Sequence, residues 1–129
     1  MNNSNKNEES KIIDTQLLTL FFSLLSVIIS ILLTYNQKLE ISHKNTLFSP
    51  KSTFKLAKNN RILIVIVGII FLYINYRLYE ISKREGEDLK SYKLQILASI
   101  FTVVASLIAL YVVTLSTKDE VVDIENPIV

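Results

Sequence analysis

Cysteine is absent from this 129-residue chain, and glycine and proline occur only twice each. Without cysteine, the chain can form no disulfide bond, no thiolate metal site and no cysteine nucleophile. Glycine and proline are the residues that most often interrupt helices, so their scarcity favours long, uninterrupted helices.

Groups of residues that carry out catalysis are also missing. His43 is the only histidine, and Glu40 is the only carboxylate in the same loop, so we predict no metal site. The sequence has no glycine-rich phosphate loop and no zinc-ligand spacing. It also has no Ser/His/Asp arrangement in a sequence context that indicates catalysis. The net charge of +2 is too small to indicate nucleic-acid binding. We therefore expect a protein that is not an enzyme, uses no metal or cofactor and does not bind nucleic acid.

Charged residues are absent from three long stretches of the sequence. Half of all residues are apolar, which by itself is close to the average for soluble proteins. Their clustering is more informative, because a helix needs about 20 apolar residues to cross a hydrocarbon core of about 30 Å. We predict an all-α integral membrane protein, a three-helix bundle with transmembrane helices at about 12–35, 61–80 and 93–116.

The second stretch is the shortest, since Arg61 and Arg77 enclose only residues 62–76. It must therefore extend to about residue 80. The stem of Arg77 would then lie in the apolar layer, and its guanidinium would extend outward to the lipid headgroups. Tyrosine rings favour the membrane interface, and three of them follow in this region. We predict membrane-interface positions for Arg61, Tyr73, Tyr76, Arg77 and Tyr79.

Two alternative interpretations of the apolar stretches are disfavoured. Helices of a soluble bundle would each carry a charged face, and none of the three stretches has one. The first stretch is longer than the apolar part of a signal peptide, and no small-residue cleavage pattern follows Tyr35. We therefore expect an uncleaved first helix and a single transmembrane domain over residues 1–129.

The segments outside the predicted spans differ in charge. Residues 1–11 are polar, and we expect them to be disordered. The tail 117–129 is acidic, the loop 36–60 is basic, and the connection 81–92 is charged but balanced. Within this connection, Gly86 is expected to end the second helix, and Asp88 or Ser91 to start the third.

A short helix is also predicted inside the basic loop, near residues 50–58. Ser49 is a favourable N-cap, and proline is common at the first helical position that follows. Such a helix would place Lys51, Lys55 and Lys58 on one side, where they could face lipid phosphates. The alternative is a solvated linker whose lysines only affect membrane topology.

Small and hydroxylated residues recur at helical spacing in the first and third spans. In lipid, small residues let helix backbones approach closely, and hydroxyl groups form hydrogen bonds across the contact. We favour packing of these two faces against each other over an oligomer in which one face lines a polar path. The predicted faces comprise Thr19, Ser23, Ser26, Ser30 and Thr34 in the first span, and Ser99, Thr102, Ala105, Ser106 and Ala109 in the third.

The second span contributes two further packing candidates, Gly68 and Asn75. Gly68 offers a point of close helix approach, and Asn75 is the most polar side chain in any span. An amide in lipid usually hydrogen-bonds to a neighbouring helix, which we favour over an ion or substrate contact.

Orientation is poorly determined by the sequence. Seven Lys and Arg residues lie on each side of the three predicted spans, whereas cytoplasmic loops are usually richer in them. The flanks of the first helix slightly favour an N-terminus outside and a C-terminus inside. The equal count also fits a chain that inserts in both orientations.

The leading functional hypothesis is a non-enzymatic structural or interaction subunit that acts through helix packing. Its partners would be the lipid bilayer and either a second copy or another membrane protein. The first alternative is an oligomeric pore or holin-like permeabiliser. The second is a small dual-topology transporter, which the lack of an intramembrane carboxylate makes less attractive.

Overall fold

A computed structural model describes residues 3–115, and all regular secondary structure in that part of the chain is helical. Each helix is long and apolar enough to cross a membrane. The expectation of an all-helical fold with three membrane-length helices is therefore confirmed for residues 3–115. The helices are α1 at Asn3–Ile41, α2 at Pro50–Arg84 and α3 at Lys90–Leu115.

Helix α1 begins much earlier than predicted. The structure contradicts disorder over residues 3–11, because these residues form the first turns of α1. Contacts with α2 explain the order: Ile12 is buried in a cluster with Ile74 and Ile81, and Glu8 pairs with Arg84 at 2.7 Å. Met1, Asn2 and the predicted acidic tail lie outside the described residues.

Helix α2 begins where Ser49 and Pro50 predict, with the Ser49 hydroxyl accepting a hydrogen bond from the Ser52 N–H at 3.2 Å. It then continues unbroken to Arg84, so a separate interfacial helix near residues 50–58 is wrong. Thr53 and Ala57 are buried, which shows that this segment packs against the protein instead of lying along the membrane. The predicted basic loop 36–60 accordingly shrinks to residues 42–49.

In both interhelix connections the second residue after the helix is in the left-handed conformation. Gly86, at φ 72°, follows α2 as predicted, and its N–H donates to the Lys83 carbonyl at 3.2 Å. His43 plays the same part after α1 at φ 55°, with its N–H donating to the Glu40 carbonyl at 3.1 Å. These bonds satisfy carbonyl groups that the helix ends leave open.

Helix α2 is the central element. It runs antiparallel to both neighbours, with Asn60 opposite Ser26 of α1 and Asn75 opposite Ser99 of α3. Helices α1 and α3 each pack on α2 and make almost no contact with each other within the described chain. The predicted packing of the first and third faces against one another is therefore wrong, because both faces find their partners on α2.

Candidate functional site

The hydroxyl groups of α1 meet an amide of α2 in the buried part of the structure. The Ser26 hydroxyl donates to Asn60 Oδ1 at 2.7 Å, and Asn60 Nδ2 donates to the Ser30 hydroxyl at 2.9 Å. All three side chains are at most 5% exposed. Asn60 lies in the predicted loop, so the sequence analysis missed it. The sequence feature that could have identified Asn60 is its spacing from Thr53 and Ala57, which places all three residues on one helical face.

The remaining members of the α1 face differ in their surroundings. Thr19 is buried and Ser23 is half-buried, and each hydroxyl donates to a carbonyl one turn earlier in α1. Thr34 is exposed. Asn36, also missed from the sequence, is buried and its Oδ1 accepts hydrogen bonds from the N–H groups of residues 47 and 48 at 2.8 and 3.0 Å. The polar face of α1 therefore continues into a contact that fixes the first loop.

Small residues dominate the contact between α2 and α3. Gly68, Ser106 and Ala109 are buried there. A Cβ atom added at Gly68 would lie 3.5 Å from Val103 Cγ2, which is an ordinary van der Waals distance. Ala105 is exposed, so it does not take part in this contact.

Asn75 and Ser99 add a polar contact between the same two helices. Asn75 Nδ2 donates to the Ser99 hydroxyl at 2.5 Å, and both side chains are half-buried. The Thr102 hydroxyl is exposed and donates to the Ala98 carbonyl in its own helix. The polar side of α3 is thus only partly covered by α2.

An open groove of about 470 Å³ lies between the three helices, and we call it the polar groove. Gly68 lies near the middle of the charge-free segment 62–76 of α2, and Asn75 lies near one end of that segment. The groove therefore extends from the middle of the apolar layer toward the end of α2. Seven small or polar residues line it, together with Phe71 and Leu78: Gln16, Gly68, Asn75, Gln95, Ala98, Ser99 and Thr102.

Two of these residues, Gln16 and Gln95, were missed in the sequence analysis. Both lie at the edge of a predicted span, where a polar residue attracts little notice. The signal that could have identified Gln95 is its spacing, since Gln95, Ser99 and Thr102 follow one another at intervals of four and three residues. Such spacing extends the hydroxylated face of α3 by one turn.

The predicted membrane-interface residues fall into two groups. Most are at least partly exposed: Lys51, Lys55, Lys58, Tyr73 and Tyr76 are exposed, whereas Arg77 and Tyr79 are half-buried. The exception is Arg61, which is only 2% exposed and does not face lipid. It falls on the buried face of α2 that includes Ala57, Val65 and Gly68, at helical spacings of four, four and three residues.

Charged side chains join α1 to α2 beyond the apolar segments. The Glu8 carboxylate accepts hydrogen bonds from Arg77 and Arg84, the latter at 2.7 Å. Arg77 also donates to Glu80 at 3.1 Å. Nearby, a hydrogen bond with Glu85 is the main cause that raises the pKa of Glu87. Acidic and basic groups therefore pair through Glu8, Arg77 and Arg84, whereas Glu85 and Glu87 contact each other.

Comparison of the chain with protein-family models, with curated proteins and with solved structures found no match. The polar groove and the distribution of charge are the features from which a function can be inferred.

Proposed function

We propose that this chain is a non-enzymatic membrane subunit that assembles by helix packing through the polar groove. The groove carries the proposal because it exposes amide and hydroxyl groups among helices of membrane-spanning length. Lipid chains offer no hydrogen-bond partners, so polar groups at this depth are better satisfied by another helix. A helix that entered the groove would meet Gln16 on one side and Gln95 on the other.

The proposed partner is a second copy of the same chain. Each glutamine amide both donates and accepts hydrogen bonds, so the groove can pair with its own copy across a two-fold axis. The exposed residues Ala98, Thr102 and Ala105 are small and lie at spacings of four and three on α3. They allow two α3 helices to approach closely, which is how small residues act in membrane interfaces.

The same contacts weigh against a pore lined by α1. Such a pore would need the α1 hydroxyl groups to face a shared channel. Thr19, Ser26 and Ser30 are instead buried, and Ser26 and Ser30 are bonded to Asn60 of α2. Opening this face would break those hydrogen bonds, so helix packing is the simpler role for it.

Cysteine crosslinking in membranes tests the proposal, because the chain has no cysteine of its own. Thr102→Cys places one thiol in the groove, and Val104→Cys places one on a different, 47% exposed part of α3. We expect oxidation to give a covalent dimer several-fold more efficiently at position 102, because that face lies closest to the proposed two-fold axis.

A second substitution provides the control. Ala98→Phe fills the groove and should abolish crosslinking at position 102, whereas Val104→Phe should leave it unchanged. Equal crosslinking at positions 102 and 104, or a monomer at all protein concentrations in detergent and in bilayers, would contradict assembly through the groove.

A further inference from the structure

The two ends of the molecule carry different net charge. Residues 38–61, where α1 ends and α2 begins, hold six basic side chains and one acidic side chain, which gives +5. Residues 4–14 and 77–93, at the opposite end, hold seven of each, which gives zero. We call the first of these the lysine end; its exposed lysines are Lys38, Lys44, Lys51, Lys55 and Lys58.

The lysines of α2 are stacked along the helix at increasing distance from the bilayer centre. With the charge-free segment 62–76 centred in the bilayer and a rise of about 1.5 Å per residue, Lys58 lies about 16 Å from the centre. Lys55 lies about 21 Å away and Lys51 about 27 Å. The hydrocarbon layer extends about 15 Å and the headgroups about 20–22 Å from the centre, so the backbone positions of these lysines run from the headgroup layer to several Å beyond it.

The packing of α2 presents these lysines to the outside. Thr53 and Ala57 are buried, while Lys51, Lys55 and Lys58 are exposed. The lysines therefore project from the side of an upright helix and not from a helix lying on the membrane.

Helix α1 adds an exposed face with a lysine at the same end. An open groove of about 500 Å³ follows its surface and is lined by Ser30, Ile31, Thr34, Tyr35 and Lys38. Its walls are mainly apolar, and Lys38 stands at the end nearest the loop.

We propose that the lysine end binds the headgroups of anionic phospholipids, independently of assembly through the polar groove. Basic residues near an anionic leaflet are attracted to it, and several of them act together. The opposite end has no net charge to contribute, and its Arg77 and Arg84 are already engaged by Glu8.

Fluorescence of single tryptophans in the full-length protein tests this proposal, because the chain has no tryptophan. Tyr35→Trp reports on the lysine end and Tyr76→Trp on the opposite end; the two tyrosines are 50% and 51% exposed. Each variant is placed in phosphatidylcholine vesicles with a minor fraction of brominated phosphatidylglycerol, or with the same fraction of brominated phosphatidylcholine. We expect phosphatidylglycerol to quench Tyr35→Trp at least about twofold more than phosphatidylcholine does, and no such preference for Tyr76→Trp.

Matched triple substitutions identify the groups responsible. The preference should be strongly weakened, from a net charge of +5 to +2 in residues 38–61, when three lysines are replaced together: Lys51→Gln, Lys55→Gln and Lys58→Gln. It should be kept in the matched variant with Lys83→Gln, Lys90→Gln and Lys93→Gln. All six lysines are exposed, and equal helical content by circular dichroism would show that both variants fold. Equal preference at the two tryptophans, or equal loss in both triple variants, would overturn the proposal. The acidic residues after position 115 lie outside the described residues and are identical in every variant.

Discussion

The two helix contacts made by α2 are of different kinds. Its contact with α1 joins side chains by buried hydrogen bonds, with Asn60 held between two serines. Its contact with α3 depends on close approach at Gly68, with a half-buried bond from Asn75 to Ser99. Apolar side chains alone do not drive helices together in lipid, so helix association depends mainly on interhelical hydrogen bonds and close packing. In this chain, hydrogen bonds dominate the contact of α2 with α1, and close packing dominates its contact with α3.

The difference predicts opposite sensitivities to substitution. The α1–α2 contact should depend on polar groups, whereas the α2–α3 contact should depend on side-chain volume. Two pairs of dye-labelled cysteines can follow the contacts separately: positions 4 and 83 report on α1 and α2, and positions 58 and 115 report on α2 and α3. Each pair lies at helix ends that are not joined by a loop, and the residues at all four positions are exposed.

Gly68→Leu is expected to have the largest effect. A leucine side chain would extend past the position of a Cβ atom, which already lies 3.5 Å from Val103 Cγ2. Overpacking of this kind costs about 1–3 kcal/mol. Energy transfer between dyes at positions 58 and 115 should therefore be lost at a lower fraction of added SDS, while the 4 and 83 pair should change little.

Gly68→Ala is the control for volume. Its Cβ atom makes an ordinary contact, and alanine favours helix by about 1 kcal/mol over glycine, so the α2–α3 contact should be unchanged or slightly stabilised. Equal losses for alanine and leucine would show that the distance between the helices is not what matters at this position.

Asn60→Leu should have the next largest effect, and on the other contact. It removes the amide between Ser26 and Ser30, and interhelical hydrogen bonds in membranes are worth about 0.6–2 kcal/mol. The 4 and 83 dye pair should separate at a lower SDS fraction. Asn59→Leu makes the same change at the neighbouring exposed position and should have little effect.

Asn75→Leu tests the polar bond on the α3 side. Asn75 is only half-buried, and Ser99 can turn its hydroxyl toward a carbonyl of its own helix. We expect a loss smaller than that of Asn60→Leu, seen with the 58 and 115 pair. A larger loss at Asn75 would show that both contacts depend on hydrogen bonds to a similar degree.

The sequence predicted the three helices because their signal is local. Apolar stretches without charge, the Ser49-Pro50 helix start and the Gly86 helix end each depend on a few neighbouring residues. The extra length of α1 and α2 could not be predicted in this way. Residues 3–11 are polar, and their helix is explained by the pairing of Glu8 with arginines about 70 positions away in the sequence.

Helix pairing was harder to predict than the helices themselves. The hydroxylated faces of the first and third spans were predicted to pack against each other. In the structure each face contacts the second helix instead, through Asn60 and Asn75. Asn60 was missed because the lysines of residues 50–60 suggest a surface segment. The buried face that Asn60 shares with Thr53 and Ala57 was not recognised from the sequence. Arg61 was placed at the lipid interface for the same reason, although it continues that buried face.

Glu8→Gln should have the smallest effect, and it tests whether the α1–α2 contact extends beyond the apolar layer. Glu8 engages Arg77 and Arg84, but its side chain is 23% exposed, and ion pairs near water contribute about 0.2–1 kcal/mol. The 4 and 83 dye pair should report a small loss at low ionic strength that shrinks in about 1 M salt, where the screening length falls to about 3 Å. Glu9→Gln removes the same charge from the adjacent position and should give a smaller loss, because Glu9 does not pair with either arginine. If the two variants behave alike, the charge of the first turns matters but the specific pairing does not, and the α1–α2 contact would then depend on its buried residues, such as Asn60 and Ile12, and not on the ion pairs of Glu8.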